Sequence, residues 1–576
     1  MSRVILQIRL FAALLVGCPC TAAVAADTAG YQVTLKPSSP DPEGRIEALE
    51  VSIVDGLVDA PPGSAILRMP LVMTNVVTDA TALQDFGVSD AEGPVPFSVH
   101  DDPETGQTFY RHWTISRAAH GPVSIHYRAP ITNALPTRGA APPLDIRTDD
   151  GGFGGAGSYF LVLPESPAPV RFKLIWDLSA SPRGAVAISS LGAGDVAPAE
   201  PIAPRRLEAL YVMAGAIGLY PEPAPARGFM SGWEGRPPFD ARELMAWTKS
   251  LHDDYDGLFH VDRDRRYAVF LRRNLVNAGG GVSLDGAFIG SWGAGADVSK
   301  FKITLAHEML HTFVGTLDAP AGLEGSWFAE GTAVFYARRL ALRFRHIGPD
   351  QFLNDLNSTA GRYYTDALAG TPNAEIPQRF WADTRIRVLP YDRGSMYFAV
   401  VDSEVRRASQ GRRNLDDLLL SMLARRRAGR PMDEAAWVET VTKELGPRGK
   451  TEFEAMLAGA LQLPASGAFG PCMHRTTAVL RRYELGFDPK VLVEPKRIVR
   501  DLLAGSEAEK AGLRNGDEIL KPVPQDGIQA DQAATLTLDL RRDGREVQIT
   551  YLPRGDSVEA YQWRRVPGVP DSACAL

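Results

Sequence analysis

The chain of 576 residues is long enough for three or more domains, and its 45% hydrophobic and 23% charged content is ordinary for a soluble globular protein. A formal net charge of −7 leaves no basic footprint and excludes nucleic acid as an expected partner. The one long apolar run is at the start, and it is too short to span a bilayer.

That start reads as an export signal. Arg3 and Arg9 precede an apolar core at residues 10–16, and Ala23-Val24-Ala25 and Val24-Ala25-Ala26 both offer small-residue cleavage sites. Residues 1–26 are therefore expected to be removed, leaving a periplasmic or secreted chain. Leu15-Val16-Gly17-Cys18 resembles a bacterial lipobox, so the alternative is a lipoprotein anchored to a membrane through Cys18. Beyond the signal two cysteines remain, Cys472 and Cys574. In an oxidising compartment they are expected to form a disulfide; the alternative is two free thiols.

Residues 27–225 read as a β domain. Tyr31-Gln32-Val33-Thr34-Leu35 and Val123-Ser124-Ile125-His126-Tyr127 show strand-like alternation between proline- and glycine-rich turns. Nothing in this part suggests chemistry, and His100, His112, His120 and His126 read as structural or solvated. From residue 226 to 465 the pattern changes to a small α/β lobe followed by helices. A helix is expected at 239–251, a buried strand at 267–271 and a further strand at 288–290. Arg425-Arg426-Arg427 reads as a solvated helix end.

The chemistry is concentrated at residues 304–336. His307-Glu308-Met309-Leu310-His311 is an H-E-x-x-H sequence, and eighteen residues separate His311 from Glu330. Two histidines at i and i+4 lie on one helix face and can share a metal ion. Glu330 from a second helix makes three protein ligands, which leaves a fourth tetrahedral position open, as a catalytic Zn2+ site requires. Glu308 is then placed as general base. Asp297 or Ser299 is expected to cap the first helix and Gly315 to end it. Ser326 is expected to cap a second helix reaching about Arg345, which carries Glu330 in its first turn.

H-E-x-x-H, eighteen residues and Glu is the gluzincin pattern. Trp327-Phe328-Ala329-Glu330-Gly331-Thr332-Ala333-Val334-Phe335-Tyr336 resembles the glycyl aminopeptidase family of metallopeptidases. Pro390-Tyr391-Asp392-Arg393-Gly394 is similar to that family's tyrosine motif, which implies that Tyr391 stabilises the transition state. A phenol gives a developing oxyanion an aimed donor without net charge. The resemblance further implies a β-sandwich, then a thermolysin-like α/β and helical catalytic domain, and an aminopeptidase acting on small N-terminal residues. In the family a Gly-Gly-x-Glu-His segment lies upstream of the zinc helix, and its glutamate binds the substrate's amine. Here Asn277-Ala278-Gly279-Gly280-Gly281-Val282-Ser283-Leu284-Asp285-Gly286 keeps the glycines and lacks the Glu-His. Gly279, Gly280 and Gly281 are expected either to form an edge that pairs with an extended peptide or to be a flexible turn. Asp285, at a shifted position, is the candidate to replace the carboxylate. A zinc endopeptidase is the alternative.

Residues 478–556 form the last expected domain. Tyr483-Glu484-Leu485-Gly486-Phe487 resembles the carboxylate-binding loop of a PDZ domain. Ser506-Glu507-Ala508-Glu509-Lys510-Ala511-Gly512-Leu513-Arg514-Asn515-Gly516-Asp517-Glu518-Ile519-Leu520 is similar to a run typical of that family. The resemblance implies binding of a peptide C-terminus. Residues 557–576 read as a tail. A non-catalytic PDZ protein with a vestigial metal site is the rival class.

Overall fold

A computed structural model of the protein describes residues 30–73, 76–104, 108–134, 144–260, 265–276, 278–494, 496–523 and 525–574. The export segment, Cys18 included, and Asn277 lie outside them. Among the described residues no helix is long and apolar enough to cross a membrane.

The N-terminal part is β-rich. Alternating burial along Gly30–Pro37 places Tyr31, Val33 and Leu35 inward. The same core receives Val51, Ile53 and Ile125 from the paired strands Ala48–Ala60 and Ala119–Pro130. A second sheet, built on Ala65–Met73 and Phe109–Ile115, closes this core with Leu67, Met69, Trp113 and Ile115. A third sheet, between Arg147–Asp149 and Tyr211–Gly215, was not separable in the sequence. Its Ile188, Tyr211 and Met213 pack on Phe270 and Ile289 of the next unit, so the two parts share an apolar seam.

That next unit begins with a sheet of Gly218–Tyr220 (β1), Phe229–Trp233 (β2), Tyr267–Arg273 (β3), Gly281–Leu284 (β4) and Ala287–Trp292 (β5), in the order β1-β2-β3-β5-β4. β2, β3 and β5 run parallel, and β4 returns antiparallel along β5. Burial on both faces explains the continuous apolar sequence of β3 and β5. Helix α1, Ala241–Phe259, connects β2 to β3, with Asp240 capping it through the Glu243 amide. β4 is the sheet edge and is only half-buried. The glycine stretch is therefore strand and turn: Gly281 opens β4 because a Cβ there would strike the Phe288 ring at 2.1 Å, and Gly279 turns the chain with φ +87°.

Helices follow: Val298–Phe313 (α2), Ser326–Arg343 (α3), Pro349–Thr365 (α4), Leu389–Ala408 (α5) and Leu415–Arg427 (α6). The C-terminal part is divided. Met473–Tyr483 (β6) pairs with Arg554–Arg565 (β7), and β7 lies on α4, where Asn357 and the Trp563 backbone exchange two hydrogen bonds of 2.8 Å. Trp563, Cys472 and Cys574 belong to the same apolar core as the helices. The strand runs through position 556, so part of the expected tail is woven into the helical body. The segment between β6 and β7 has its own core of Leu485, Phe487, Leu538, Leu540 and Ile549, with Asp526–Ala530 (α7) as a single turn of helix. Ser506 caps the short helix Glu507–Lys510. After Glu484-Leu485-Gly486-Phe487 the chain enters a 3-10 turn at Pro489–Val493, and the Leu485 carbonyl accepts from the Tyr551 hydroxyl.

A disulfide joins Cys472 to Cys574 across 102 residues, with both side chains buried. Cys472→Ser is expected to cost about 2–5 kcal/mol. Denaturant unfolding of the variant, and of the wild type with and without reductant, measures this; identical midpoints refute it.

Candidate metal centre

α2 begins where Asp297 accepts hydrogen bonds from the Ser299 and Lys300 amides. Phe301, Leu305, Met309 and Leu310 bury one face. His307, Glu308 and His311 lie off that face, half-buried toward the cleft. α3 starts at Ser326 without a side-chain cap; the Ser326 hydroxyl donates backwards to the Leu323 carbonyl at 2.6 Å. What fixes its start is Trp327, packed among Phe398, Trp437 and Phe453. Glu330, one turn on, faces the histidines.

α3 and α5 touch backbone to backbone. A Cβ on Gly331 would lie 2.7 Å from Gly394 Cα, and one on Gly394 would lie 2.6 Å from the Trp327 carbonyl oxygen. The glycines of the two motifs are thus required by helix contact. This contact brings Tyr391, in the first turn of α5, beside the histidines: its ring stacks on that of His307 at 5.9 Å and 14°. Its neighbours clamp the turn. Asp392, fully buried, accepts two hydrogen bonds from Arg362 at 2.6 and 2.5 Å. Arg393, also buried, donates to the Thr371 carbonyl at 2.6 Å and to Asn373. Burial and the Glu330 and Glu308 carboxylates push the Tyr391 phenol well above its ordinary value, so it stays a donor.

The donor set fits zinc. His307 Nε2 lies 3.2 Å from Glu330 Oε2 and 3.3 Å from His311 Nε2, and His311 Nε2 lies 3.4 Å from Glu330 Oε2. An ion bound tetrahedrally at about 2.0–2.1 Å holds its ligands roughly 3.3 Å apart, so the three atoms form one tetrahedral face. Burial opposes charge on both sides of the contact. Even so, the histidines hold the Glu330 carboxyl down at about 2, and Glu330 raises His311.

Glu308 is not in this triangle. Its Oε2 accepts from the Ser283 hydroxyl at 2.8 Å, so the edge strand β4 orients it. Ser283 is the residue sequence reasoning passed over. Counting from Gly280-Gly281, Ser283-Leu284 stands where the Gly-Gly-x-Glu-His pattern puts Glu-His, and that count was the available signal. Asp285 does not substitute: it lies in the turn after β4, ion-paired to Arg206. Gly279 and Gly280 bond to Ser291 in β5. The cleft runs on both sides of the triangle. One cavity of about 440 Å³ is lined by Asp297, Lys300, Thr304, His307 and Glu308. The other, about 550 Å³, is lined by Ser283, Asp285, Arg265, His311 and Arg426.

No protein-family model and no curated protein matches the sequence. Solved structures do. An aminopeptidase N family protein from Idiomarina loihiensis superposes with a TM-score of 0.64 at 14% identity, covering 93% of this chain and 98% of that one. The M1 zinc metallopeptidase of Deinococcus radiodurans gives 0.44 at 16% identity, over 76% of this chain and 96% of that one. Leukotriene A4 hydrolase from Saccharomyces cerevisiae gives 0.42 at 14% identity, over 74% and 66%. The chain has the multidomain fold of the first of these, β-rich at its start and helical after it.

Two variants test the geometry. His311→Ala should lose bound zinc by metal analysis. Gly394→Ala should force α3 and α5 apart, destabilise by about 1–3 kcal/mol, and weaken zinc binding. Unaltered zinc affinity in Gly394→Ala would show that the contact does not set the site.

Proposed function

We propose that the chain is a zinc-dependent metallopeptidase. The tetrahedral face of His307, His311 and Glu330, with Glu308 and Tyr391 on its open side, carries this reading. Zinc, when bound, lowers the pKa of a water and polarises a carbonyl. Glu308, held by Ser283, takes the proton from the attacking water and passes it to the leaving amine. The Tyr391 phenol donates to the oxygen on which charge develops. The free edge of β4 offers main-chain groups to an extended peptide.

The fold likeness to an aminopeptidase N family protein supports action at a free N-terminus, and the sequence resemblance adds small N-terminal residues as its preference. One observation favours a second reading, an endopeptidase: β4 carries Ser283 where an amine-binding carboxylate would stand, and that serine is engaged with Glu308. Export to the periplasm or medium, or anchoring through Cys18, follows from the signal segment. The C-terminal segment is read as a PDZ-type domain on its Ser506 cap and Asn515-Gly516-Asp517 turn; the 3-10 turn after its loop argues against a peptide joining there.

Glu308→Ala should abolish hydrolysis with zinc retained, and Tyr391→Phe should lower kcat by about 10²–10³. Hydrolysis unchanged in Glu308→Ala would sink the mechanism. Peptides with free and acetylated N-termini separate the two readings: cleavage of free forms alone means aminopeptidase, and internal cleavage of both means endopeptidase.

A further inference from the structure

The two ends of the cleft differ in charge. At the start of α2 the lining carries Asp297, Asp355 and Glu308 against Lys300. At the end of α2, beyond β4, it carries Arg265, Arg426 and Arg427, with His260 and His311, and among the described residues its one lining carboxylate is Asp285. Asp285 is already paired with Arg206. Arg426 is held by hydrogen bonds to the Val314 and Thr316 carbonyls and by an ion pair of 3.4 Å to Asp318, and Arg427 by one hydrogen bond of 2.6 Å to the Phe259 carbonyl. Arg425, the third member of the run, points elsewhere, to the Pro431 carbonyl and Glu439. The cluster is therefore split: two of its guanidinium groups line the cavity next to His311. Arg265 joins them from the other wall. It is exposed, and its hydrogen bond to the Thr312 carbonyl is long, 3.4 Å, so its planar fork remains presented to the cavity.

Ser283 fits the same pattern. An α-ammonium brought to this end would find a hydroxyl committed to Glu308, a paired aspartate and three guanidinium groups. A carboxylate would find guanidinium donors that stay charged at every working pH. We propose that this end of the cleft binds a carboxylate of the substrate, so that the enzyme selects peptides with an aspartate or glutamate beside the scissile bond and rejects a free α-ammonium there. The proposal rests on the endopeptidase form of the peptidase reading and names the substrate class for it.

The test uses the mature zinc-loaded protein and acetylated peptides that differ only in carrying Glu, Gln or Lys at each of three positions on either side of the cleaved bond. Glutamate at a position on one side is expected to raise kcat/KM about tenfold over glutamine, with lysine below both and the difference shrinking as salt rises. Arg265→Glu should reverse the order so that lysine exceeds glutamate, a gain that damage to the fold would not produce. Binding of the acetylated glutamate peptide to zinc-free Glu308→Ala protein, followed by calorimetry, gives a readout apart from turnover and should weaken at least tenfold in Arg265→Glu. Equal cleavage of the three peptides, or faster cleavage of free-amine forms than acetylated ones, overturns the proposal and leaves the peptidase reading standing. Hydrolysis of none of them in either acetylated or free-amine form, with glutamate-selective binding retained, upholds the carboxylate site and overturns the peptidase reading instead.

Discussion

The site depends on one close approach, that of Gly331 to Gly394. Neither position has room for a methyl group, because the opposing atoms are backbone and cannot step aside. With the helices in contact, Glu330 on α3 and Tyr391 on α5 reach the same side of the histidine pair. A wider crossing would separate the third ligand from the phenol, since both lie near the starts of the two helices that cross there. The glycines beside these two functional residues thus serve packing, and packing sets the chemistry.

That crossing is held by charge as well as by apolar burial. Asp392, Arg393, Arg338 and Arg339 are all buried around it. Asp392 takes both arms of Arg362, and Arg339 reaches the buried Asp402 at 2.6 Å. Such pairs add little net stability over apolar packing, but losing one partner strands a buried charge. They make the start of α5 intolerant of rearrangement. The Trp327 cluster does the same for α3, and β7 braces α4 from behind.

The parts legible in the sequence were those whose cause is local. The histidine spacing is a property of one helix, and the Glu330 and Tyr391 motifs each lie within a single helix. The capping by Asp297 and by Ser506 is likewise written into adjacent residues. Contacts between distant segments were not legible. The Ser326 cap fails because its hydroxyl bonds backwards to Leu323, and Trp327 anchors the helix instead. The strand through position 556 is fixed by its partner β6, far away in sequence. Alternation alone could not assign the strands between Arg147 and Gly215 to a separate sheet, because their inner face is completed by Phe270 and Ile289. The arginines of α6 looked solvated because nothing near them in sequence shows the cavity at the end of α2.

The segment between β6 and β7 is put to structural use. Its α7 is one turn long, and Asp526 at its start accepts from Arg387 Nη2 at 2.6 Å and from the Thr384 hydroxyl. Gln529 meets the same threonine at 3.2 Å, and Ser358 of α4 donates to the Ala530 carbonyl. Thr384 and Arg387 immediately precede α5, whose first turn carries Tyr391. Arg387 also acts electrostatically on that phenol. A helix committed in this way to the catalytic framework has its polar groups spent on the enzyme, not held out to a peptide. The unit therefore bears on catalysis through the turn that aims Tyr391, and its own loop needs no ligand for that role.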